Sequence, residues 1–460
     1  MNITDDFRFQ ALPLPGDIQA EKMAGHYDYA RKLIERRLAD ELTPECIKKR
    51  LRLELKILTG MEAEYIYTRE EAMALMRERI PSFSEEEFDE LLMRGRMDFA
   101  YINGEKLFAE SFCSALLKVY PELWNRTVEG DRYQPGASEE VIQSVKDGDG
   151  FGAHIHICHH LTLRPQPDVI GQKVRIHIPV SWEGNPRVSG LTIKTDPPYK
   201  ALSSEDAGMH SVYFEERAED GLKFLVDYEY DYNDVYRDMY DMDPALCAEE
   251  PPAEIKEKYL CEQLPHISMS PFIKELAAEI VGSESNPLLK ARAIYDFITQ
   301  KCRYRFTRPY RAIENVSEYF LINQQGDCGT QALAFISLCR CAGVPAKWES
   351  GTTASPGDIG MHDWAMFYIE GIGWRHADPS FGGGANMRGN EKRRRFYFGN
   401  IDPFRNPCNG AMGVEFDPPK KFWRVDDCDN QAGEVEFETR GAMRSEYRIR
   451  YEDKGIKRTK

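Results

Sequence analysis

A cysteine, a histidine and an aspartate lie along this chain in an order that could support nucleophilic catalysis. Cys328 begins the apolar stretch CGTQALAFISLCRCAG, in which Asp327 can cap a helix that Gly343 ends. The unpaired N–H groups and the dipole at a helix start favour an anion, so a thiol there can supply thiolate. A lone cysteine is more often structural, and catalysis also requires a base and a group that orients the base.

The downstream sequence offers that base and its partner. His362 begins a predicted strand, MHDWAMFYIEG, and Gly371 and Gly373 then turn the chain into GWRHADPSF. A hairpin folded about residue 370 or 371 brings Asp378 back to within a few residues of His362, on the same face. A carboxylate in that position fixes the imidazole tautomer and stabilises the imidazolium. The spacing therefore predicts a Cys-His-Asp triad.

Three regions of different pattern must position these residues. Residues 1–148 have helical periodicity, a capping box at Ser84 and Glu87, and an Asn-Gly hairpin signal in YINGEKLF. Residues 150–245 alternate apolar and polar residues with turns about every ten residues, which predicts an antiparallel β domain. Residues 255–460 mix both patterns. We therefore expect a helical domain, a β domain and a catalytic domain with a β-rich C-terminal extension.

The catalytic region contains two helical segments, PFIKELAAEIVG and NPLLKARAIYDFITQKC, and Asn286 is placed to cap the second. Strands are predicted at AKWESG, HDWAMFYIEG and WRHADPSF, and in the tail at EVEFETR and SEYRIRYE. The helix that begins at Cys328 lies between these two groups in sequence. A helix that carries the thiol can therefore pack on a sheet that carries the histidine and the aspartate.

The same stretch resembles the transglutaminase-like superfamily, whose core is similar to that of papain-type cysteine peptidases. The resemblance covers roughly residues 270–382, and YFGNIDPFR and DNQAGEVEFE resemble the downstream part of bacterial multidomain members. The elements that carry it are Cys328, His362 with Trp364, Gly373 with Trp374, and Asp378 with Pro379.

The resemblance implies an α+β fold with a papain- or transglutaminase-like core. It also implies a thiol-dependent enzyme that acts on a peptide or protein amide through a thioester, without a cofactor. Water as the acceptor would make it a peptidase or amidase, and an amine would make it a transglutaminase-like acyltransferase. The alternative is a non-catalytic binding or scaffold protein that keeps the fold.

Several residues have two interpretations at this level. The oxyanion could be stabilised by the backbone N–H of Cys328 or by the side chain of Gln324 or Gln325, although both glutamines could equally solvate a loop. His376 lies two residues before Asp378 and is a rival base, but the resemblance favours His362. Three tryptophans could form core or the walls of a substrate cleft: Trp348, Trp364 and Trp374.

Two further clusters have both a functional and a structural interpretation. On a strand, the stretch AHIHICHH would place four side chains on one face that could bind zinc or copper, namely His154, His156, Cys158 and His160. A β-strand with a polar face needs no metal, and we predict none. The basic run EKRRRF, residues 391–396, is interpreted as a solvated face or a contact for an acidic substrate.

Composition limits the partners and the compartment. The 460 residues carry a formal net charge of −16 with a pI near 5.3, which argues against nucleic acid or an anionic membrane surface as the main partner. No leader pattern and no membrane-spanning apolar run is visible, and eleven cysteines without a disulfide framework suggest free thiols. We therefore expect a cytoplasmic protein whose helical N-terminal domain could bind a protein partner.

Overall fold

The structure, a computed structural model, combines helices with antiparallel sheets. It describes residues 8–128, 139–147, 151–247, 249–426 and 428–459; residues 1–7, part of the stretch examined for a leader, lie outside. The α-helices are Gly16–Met23, Tyr27–Ala39, Glu45–Glu64, Arg69–Arg79, Glu85–Met93, Phe112–Val119, Pro121–Trp124, Glu139–Asp147, Ala253–Tyr259, Pro271–Val281, Pro287–Lys301, Val316–Asn323, Cys328–Cys341, Pro379–Met387 and Glu391–Phe396. The strands are Tyr65–Tyr67, Phe99–Ile102, Glu105–Ala109, Phe151–Leu163, Lys173–Pro179, Val188–Asp196, Ala201–Leu202, Ser211–Arg217, Lys223–Asp234, Arg303–Tyr304, Gln325–Gly326, Ala346–Ser355, Asp358–Ile369, Gly373–Ala377, Phe398–Gly399, Arg405–Asn409, Glu434–Phe437, Tyr447–Asp453 and Lys457–Arg458.

The chain folds into two compact units. The described residues of 5–135 and of 304–314 form one unit, and those of 136–303 and 315–460 form the other. The strands that follow residue 150 and the region that holds Cys328 therefore belong to the same unit. The division into three domains stays a prediction.

The first unit is mainly helical, as its periodicity predicts. The capping box is confirmed, because the Ser84 side chain accepts from the N–H of Glu87 and the Glu87 side chain accepts from the N–H of Ser84. The YINGEKLF hairpin is also confirmed, with Asn103 and Gly104 at φ values of 50° and 91°. Positive φ at both central residues is typical of the tight turns that Asn-Gly favours.

The strands between residues 151 and 234 form two antiparallel sheets, and strands from the C-terminal tail complete both of them. The strand Glu434–Phe437 pairs with Lys173–Pro179, and Tyr447–Asp453 pairs with Phe151–Leu163. A contact between the rings of Phe214 and Phe224, with centroids 5.2 Å apart, joins strands of the two sheets. The C-terminal tail thus contributes strands to the β region as well as following the candidate active site.

A third sheet and a buried helix form the core around the candidate site. The sheet is antiparallel throughout, with the strands in the order Phe398–Gly399, Gly373–Ala377, Asp358–Ile369, Ala346–Ser355 and Arg405–Asn409. We call Asp358–Ile369 the histidine strand and Cys328–Cys341 the cysteine helix. Phe335 of the cysteine helix meets Phe367 of the histidine strand at a centroid distance of 6.1 Å, so the helix packs on the face of the sheet that holds Phe367.

The interpretation of EKRRRF as a solvated face is wrong for two of its arginines. The segment forms the helix Glu391–Phe396, and Arg393 and Arg394 are buried. Arg394 donates to Asp296 and to Glu391, so its charge is paired within the fold. Buried guanidinium groups require such partners, and Asp296 comes from a helix about a hundred positions earlier in the chain.

Substitution of Phe398 measures how much the packing of this core contributes to stability. The side chain is fully buried and packs against Phe367 and Tyr295, with centroids 5.0 and 5.3 Å apart. We expect Phe398→Ala to lower the free energy of unfolding by about 3–5 kcal/mol, because a cavity replaces the ring. Urea unfolding followed by tryptophan fluorescence measures this. The control Tyr199→Ala, at an exposed position, should stay within about 0.5 kcal/mol of wild type.

Candidate active site

The cysteine helix begins as the sequence predicts. The Asp327 side chain accepts from the backbone N–H of Thr330 at 3.1 Å, and Cys328 is the first helical residue. Gly326 precedes this turn and packs closely against Thr330, since a Cβ added to Gly326 would lie 2.2 Å from the Thr330 hydroxyl oxygen. The helix start thus presents the thiol at a fixed position.

The environment of Cys328 opposes the field of the helix start. Burial is the largest cause that raises the pKa of its thiol well above the usual value, and the carboxyls of Asp363 and Asp327 raise it further. Low dielectric and nearby negative charge both disfavour a thiolate. The thiol is therefore protonated at neutral pH in this resting arrangement.

The hairpin that should bring His362 and Asp378 together is confirmed. Ala365 lies opposite Ala377 in the last pair of this ladder, and Asp378 directly follows Ala377 as the N-cap of the next helix. His362 Nε2 and Asp378 Oδ2 are 2.8 Å apart, and both side chains are buried. Asp378 also caps the next helix, because its Oδ1 accepts from the N–H of Phe381 at 2.9 Å. The aspartate is held from both sides.

The protonation states of this pair follow from its surroundings. Burial lowers the pKa of His362 below its usual value, although Asp378 acts in the opposite direction. Burial alone would raise the pKa of Asp378, but His362 and Arg405 hold it below the usual range. At neutral pH the geometry therefore pairs a neutral imidazole with a carboxylate.

Arg405 and Asp402 complete the support of Asp378, and the triad spacing gave no sign of either. The Nη2 of Arg405 lies 3.1 Å from Asp378 Oδ2 and 2.6 Å from Asp402 Oδ2. Its guanidinium lies over the rings of Trp364 and Phe381, 5.3 and 4.6 Å from their centroids. The available signal was the segment YFGNIDPFR, which contains both residues.

The thiol's hydrogen bond goes to a residue that sequence reasoning passed over. Cys328 Sγ lies 3.3 Å from Asp363 Oδ2, and among the described residues no hydrogen bond joins Cys328 to His362. Successive residues of a strand point to opposite faces, so Asp363 lies on the face of Phe367 and the cysteine helix. His362 lies on the other face, with Asp378. The structure thus brings His362 to Asp378, and Asp363 to Cys328.

Comparison with known families agrees with this architecture. Residues 274–379 match the family model of the transglutaminase-like superfamily, and this range includes Cys328, His362 and Asp378. The chain contains a transglutaminase-like domain. The resemblance predicted from the sequence over roughly 270–382 is therefore confirmed, as is the α+β fold with a transglutaminase- or papain-like core.

Known relatives match parts of the chain at low identity. An uncharacterised protein of Haemophilus influenzae is 28% identical over 159 residues, which is 28% of this chain and 42% of that protein. The crystal structure of a proposed cysteine protease of Cytophaga hutchinsonii covers 68% of this chain and 90% of its own, with 15% identity and a TM-score of 0.40. The periplasmic domain of TgpA from Pseudomonas aeruginosa covers 57% and 99%, with 14% identity and a TM-score of 0.27.

The matched stretch spans less than half of the length of the Haemophilus protein. None of the helices in the described parts of the chain combines the length and the apolar character that crossing a bilayer requires.

The other residues proposed for the transglutaminase-like domain have distinct environments. Gln324 is exposed at the end of a helix with φ of 52°, and Gln325 is half-buried in a short strand. Trp348 and Trp364 are buried at 2% and 1% exposure, whereas Trp374 is half-buried. Their roles in an oxyanion hole or a substrate cleft stay predictions.

His376 belongs to a buried network next to the domain's histidine strand. Its Nε2 lies 3.0 Å from Glu349 Oε2, the same oxygen that accepts from Trp364 Nε1 at 2.7 Å. Asn185, from the β region, donates to the other oxygen of Glu349 at 3.2 Å. Burial lowers the pKa of His376 to about 4. This network fixes Trp364, whose ring lies beside His362 with centroids 6.0 Å apart.

The histidine-rich strand Phe151–Leu163 pairs its imidazoles with carboxylates that the sequence did not reveal. The pairs are His154 Nδ1 with Asp231 Oδ1 at 3.0 Å, His156 Nε2 with Asp227 Oδ1 at 2.8 Å, and His160 Nε2 with Glu452 Oε2 at 3.0 Å. Cys158 lies between them and is buried. Within the described residues, no group of three or more His, Cys, Asp or Glu side chains could hold a metal ion.

His159, on the opposite face of that strand, should make the free energy of unfolding depend on pH. It is fully buried, and burial, with smaller effects from His160 and Arg444, lowers its pKa to about 3. Between about pH 6.5 and 3 the unfolded chain binds a proton at this residue that the folded chain does not, so acidification destabilises the fold. We expect wild type to lose about 1.4 kcal/mol per pH unit relative to His159→Phe below pH 6.5.

Urea unfolding of both proteins at several pH values measures this difference. Between pH 7 and 8 the two stability curves should run parallel, because the imidazole is then neutral in both states. Parallel curves down to pH 4 would contradict a neutral buried His159.

Proposed function

We propose that this protein is a thiol-dependent enzyme that hydrolyses or transfers the acyl group of a peptide or protein amide. The observation that carries the proposal is the buried hydrogen bond between His362 and Asp378, inside a transglutaminase-like domain whose cysteine begins a helix. A neutral imidazole oriented by a carboxylate is the base that a protonated thiol requires.

In the proposed reaction, the Cys328 sulfur bonds to the amide carbonyl carbon while His362 takes the thiol proton. The C–N bond then breaks, His362 gives that proton to the leaving amine, and a thioester remains. Asp378 stabilises the imidazolium between the two steps. In the resting structure the imidazole of His362 and the thiol lie on opposite faces of the histidine strand, so the proposed proton transfer requires this part of the strand to rearrange when substrate binds.

The second half of the reaction decides the class of enzyme. Attack by water on the thioester releases an acid and completes a hydrolysis, whereas attack by an amine forms a new amide. In either case His362 takes a proton from the attacking group and the thiol is regenerated. The oxyanion of each step could accept from the backbone N–H of Cys328 or from Gln325 or Gln324.

One observation favours a second candidate, a binding protein that keeps the fold without catalysis. The thiol is held in its protonated form and bonds to Asp363 rather than to His362. A protein that only binds peptides would need no reactive sulfur. The substitution of Cys328 separates the two candidates.

We expect Cys328→Ser to abolish turnover, with a loss of about 10³-fold or more, because the attacking sulfur is removed. Casein serves as the amide donor, with and without a dansylated primary amine. New amino groups report hydrolysis and incorporated fluorophore reports transfer, and mass spectrometry after an acid quench identifies an acyl group on the Cys328 peptide. The control Cys341→Ser changes a half-buried thiol at the other end of the cysteine helix and should retain the wild-type rate.

Equal casein turnover in wild type and Cys328→Ser would reject the enzyme proposal. Casein that binds equally well to both proteins, with no turnover by either, would support the binding protein.

We expect Asp378→Asn to lower kcat by about 10²–10⁴-fold, because asparagine cannot stabilise the imidazolium. Its side-chain oxygen can still cap the helix at Phe381, so the fold should persist, and circular dichroism checks this. The control Asp358→Asn alters an exposed carboxyl on the histidine strand. A kcat of Asp378→Asn equal to that of this control would contradict the orienting role of Asp378.

A further inference from the structure

The carboxyl of Asp363 occupies the position next to the thiol that a base would take. Its Oδ2 lies 3.3 Å from Cys328 Sγ, within hydrogen-bond reach for sulfur. Its other oxygen, Oδ1, accepts from the side-chain amide of Gln431, which also donates to the carbonyl oxygen of His362 at 3.1 Å. Gln431 therefore fixes the direction in which Asp363 points, and Oδ2 is left to the sulfur.

Asp363 is surrounded by other carboxyl groups, which favour its neutral form. Asp327 faces it from the start of the cysteine helix, and Asp426 and Asp429 face it from the C-terminal segment. The neighbouring strand contributes Ser350, opposite Asp363 in the ladder, and Ser350 donates to Asp429.

Arg424 is a cation near Asp426 and Asp429, and its charge opposes the rise in the pKa of both carboxyls. Burial above all, together with the charges of Asp327 and Asp426, raises the pKa of Asp363 to about 8. The pKa of Asp426 is also raised by burial.

We propose that Asp363 exchanges a proton with Cys328 and thereby limits how much thiolate the site can form. As a neutral carboxyl, Asp363 can donate its O–H to a thiolate; as a carboxylate, it accepts the S–H and holds the thiol protonated. The two forms differ by the transfer of one proton between Sγ and Oδ2, so no other reactant is required. This inference deepens the proposed function and rests on Cys328 being its nucleophile.

A consequence is an unusual pH profile for the sulfur. Below about pH 8, Cys328 and Asp363 both carry their protons. When the pair loses one of the two protons, a fixed fraction of the singly protonated molecules has lost it from the sulfur and contains thiolate. Above that pH the pair has already lost one proton, and the share of thiolate no longer rises. An isolated thiol instead gains thiolate about tenfold per pH unit up to its own pKa.

Alkylation of Cys328 by iodoacetamide between pH 6 and 10 tests the inference in the full chain. The thiolate displaces iodide, and mass spectrometry of the Cys328 peptide separates this reaction from those of the other ten cysteines. In wild type we expect the rate constant to rise with pH and then to level off near pH 8. In Asp363→Asn it should continue to rise about tenfold per pH unit and exceed wild type at pH 9.5 by about tenfold or more.

Two further variants keep the test decisive. Asp358→Asn, at the exposed start of the same strand, should reproduce the wild-type profile. Asp426→Asn should move the levelling to lower pH, because it removes a negative charge that favours the neutral form of Asp363. The side-chain oxygen of the introduced asparagine could still accept from the N–H groups of Cys428 and Asp429, so this variant gives a readout even if Asp363→Asn does not fold.

Levelling in wild type that vanishes in Asp363→Asn, or that shifts in Asp426→Asn, supports the inference. A wild-type rate that rises about tenfold per unit through pH 9.5, or levelling that Asp363→Asn retains, overturns it. These outcomes do not depend on turnover. A protein without amidase activity can still show the levelling, and an active enzyme can lack it, so the failure of one proposal is distinguishable from the failure of the other.

Discussion

The candidate site depends on one antiparallel register, that of the histidine strand against the strand Gly373–Ala377. This pairing places Asp378 beside the imidazole of His362, and the alternation of side chains along the histidine strand puts His362 and Asp363 on opposite faces of the sheet. Because side chains alternate along a strand, a slip of one residue would exchange the two faces. The imidazole would then face the cysteine helix, and the carboxyl would lose both the thiol and Gln431. A tight glycine turn and a strand pattern, both local features, thus determine which acid meets which base.

The buried charges around this hairpin require partners that lie far away in sequence. Asp378 is compensated by Arg405, and Arg405 by Asp402, on a segment beyond the matched family region. Leaving any of these charges unpaired in the interior would cost several kcal/mol, so the hairpin and the segment after residue 398 must form together. On the next strand, the buried carboxylate of Glu349 accepts a hydrogen bond from Trp364 and lies within hydrogen-bond distance of His376. The site is therefore a product of the whole unit, although its three proposed catalytic residues lie within about 50 positions of one another.

The local predictions succeeded where short-range physics decides the structure. Caps at Ser84, Asn286 and Asp327, the Asn-Gly hairpin, and the strands after residue 150 all form as their patterns indicate. They depend on neighbours within a few residues, which the sequence contains explicitly. The basic run at 391–396 was misjudged for the opposite reason: the carboxylate of Asp296, which neutralises Arg394, is supplied by a helix distant in sequence.

The sequence by itself determined the order of the elements, the placement of Cys328 at a helix start, and the hairpin that joins His362 to Asp378. Periodicity, capping and turn chemistry act over a few residues and leave a direct record in the chain. Only the tertiary structure decided which group contacts the thiol, which arginine supports Asp378, and which carboxylates face the histidines of the strand after residue 150. Those contacts join residues from different elements, and their energies depend on burial and on charges that become neighbours only when the chain has folded.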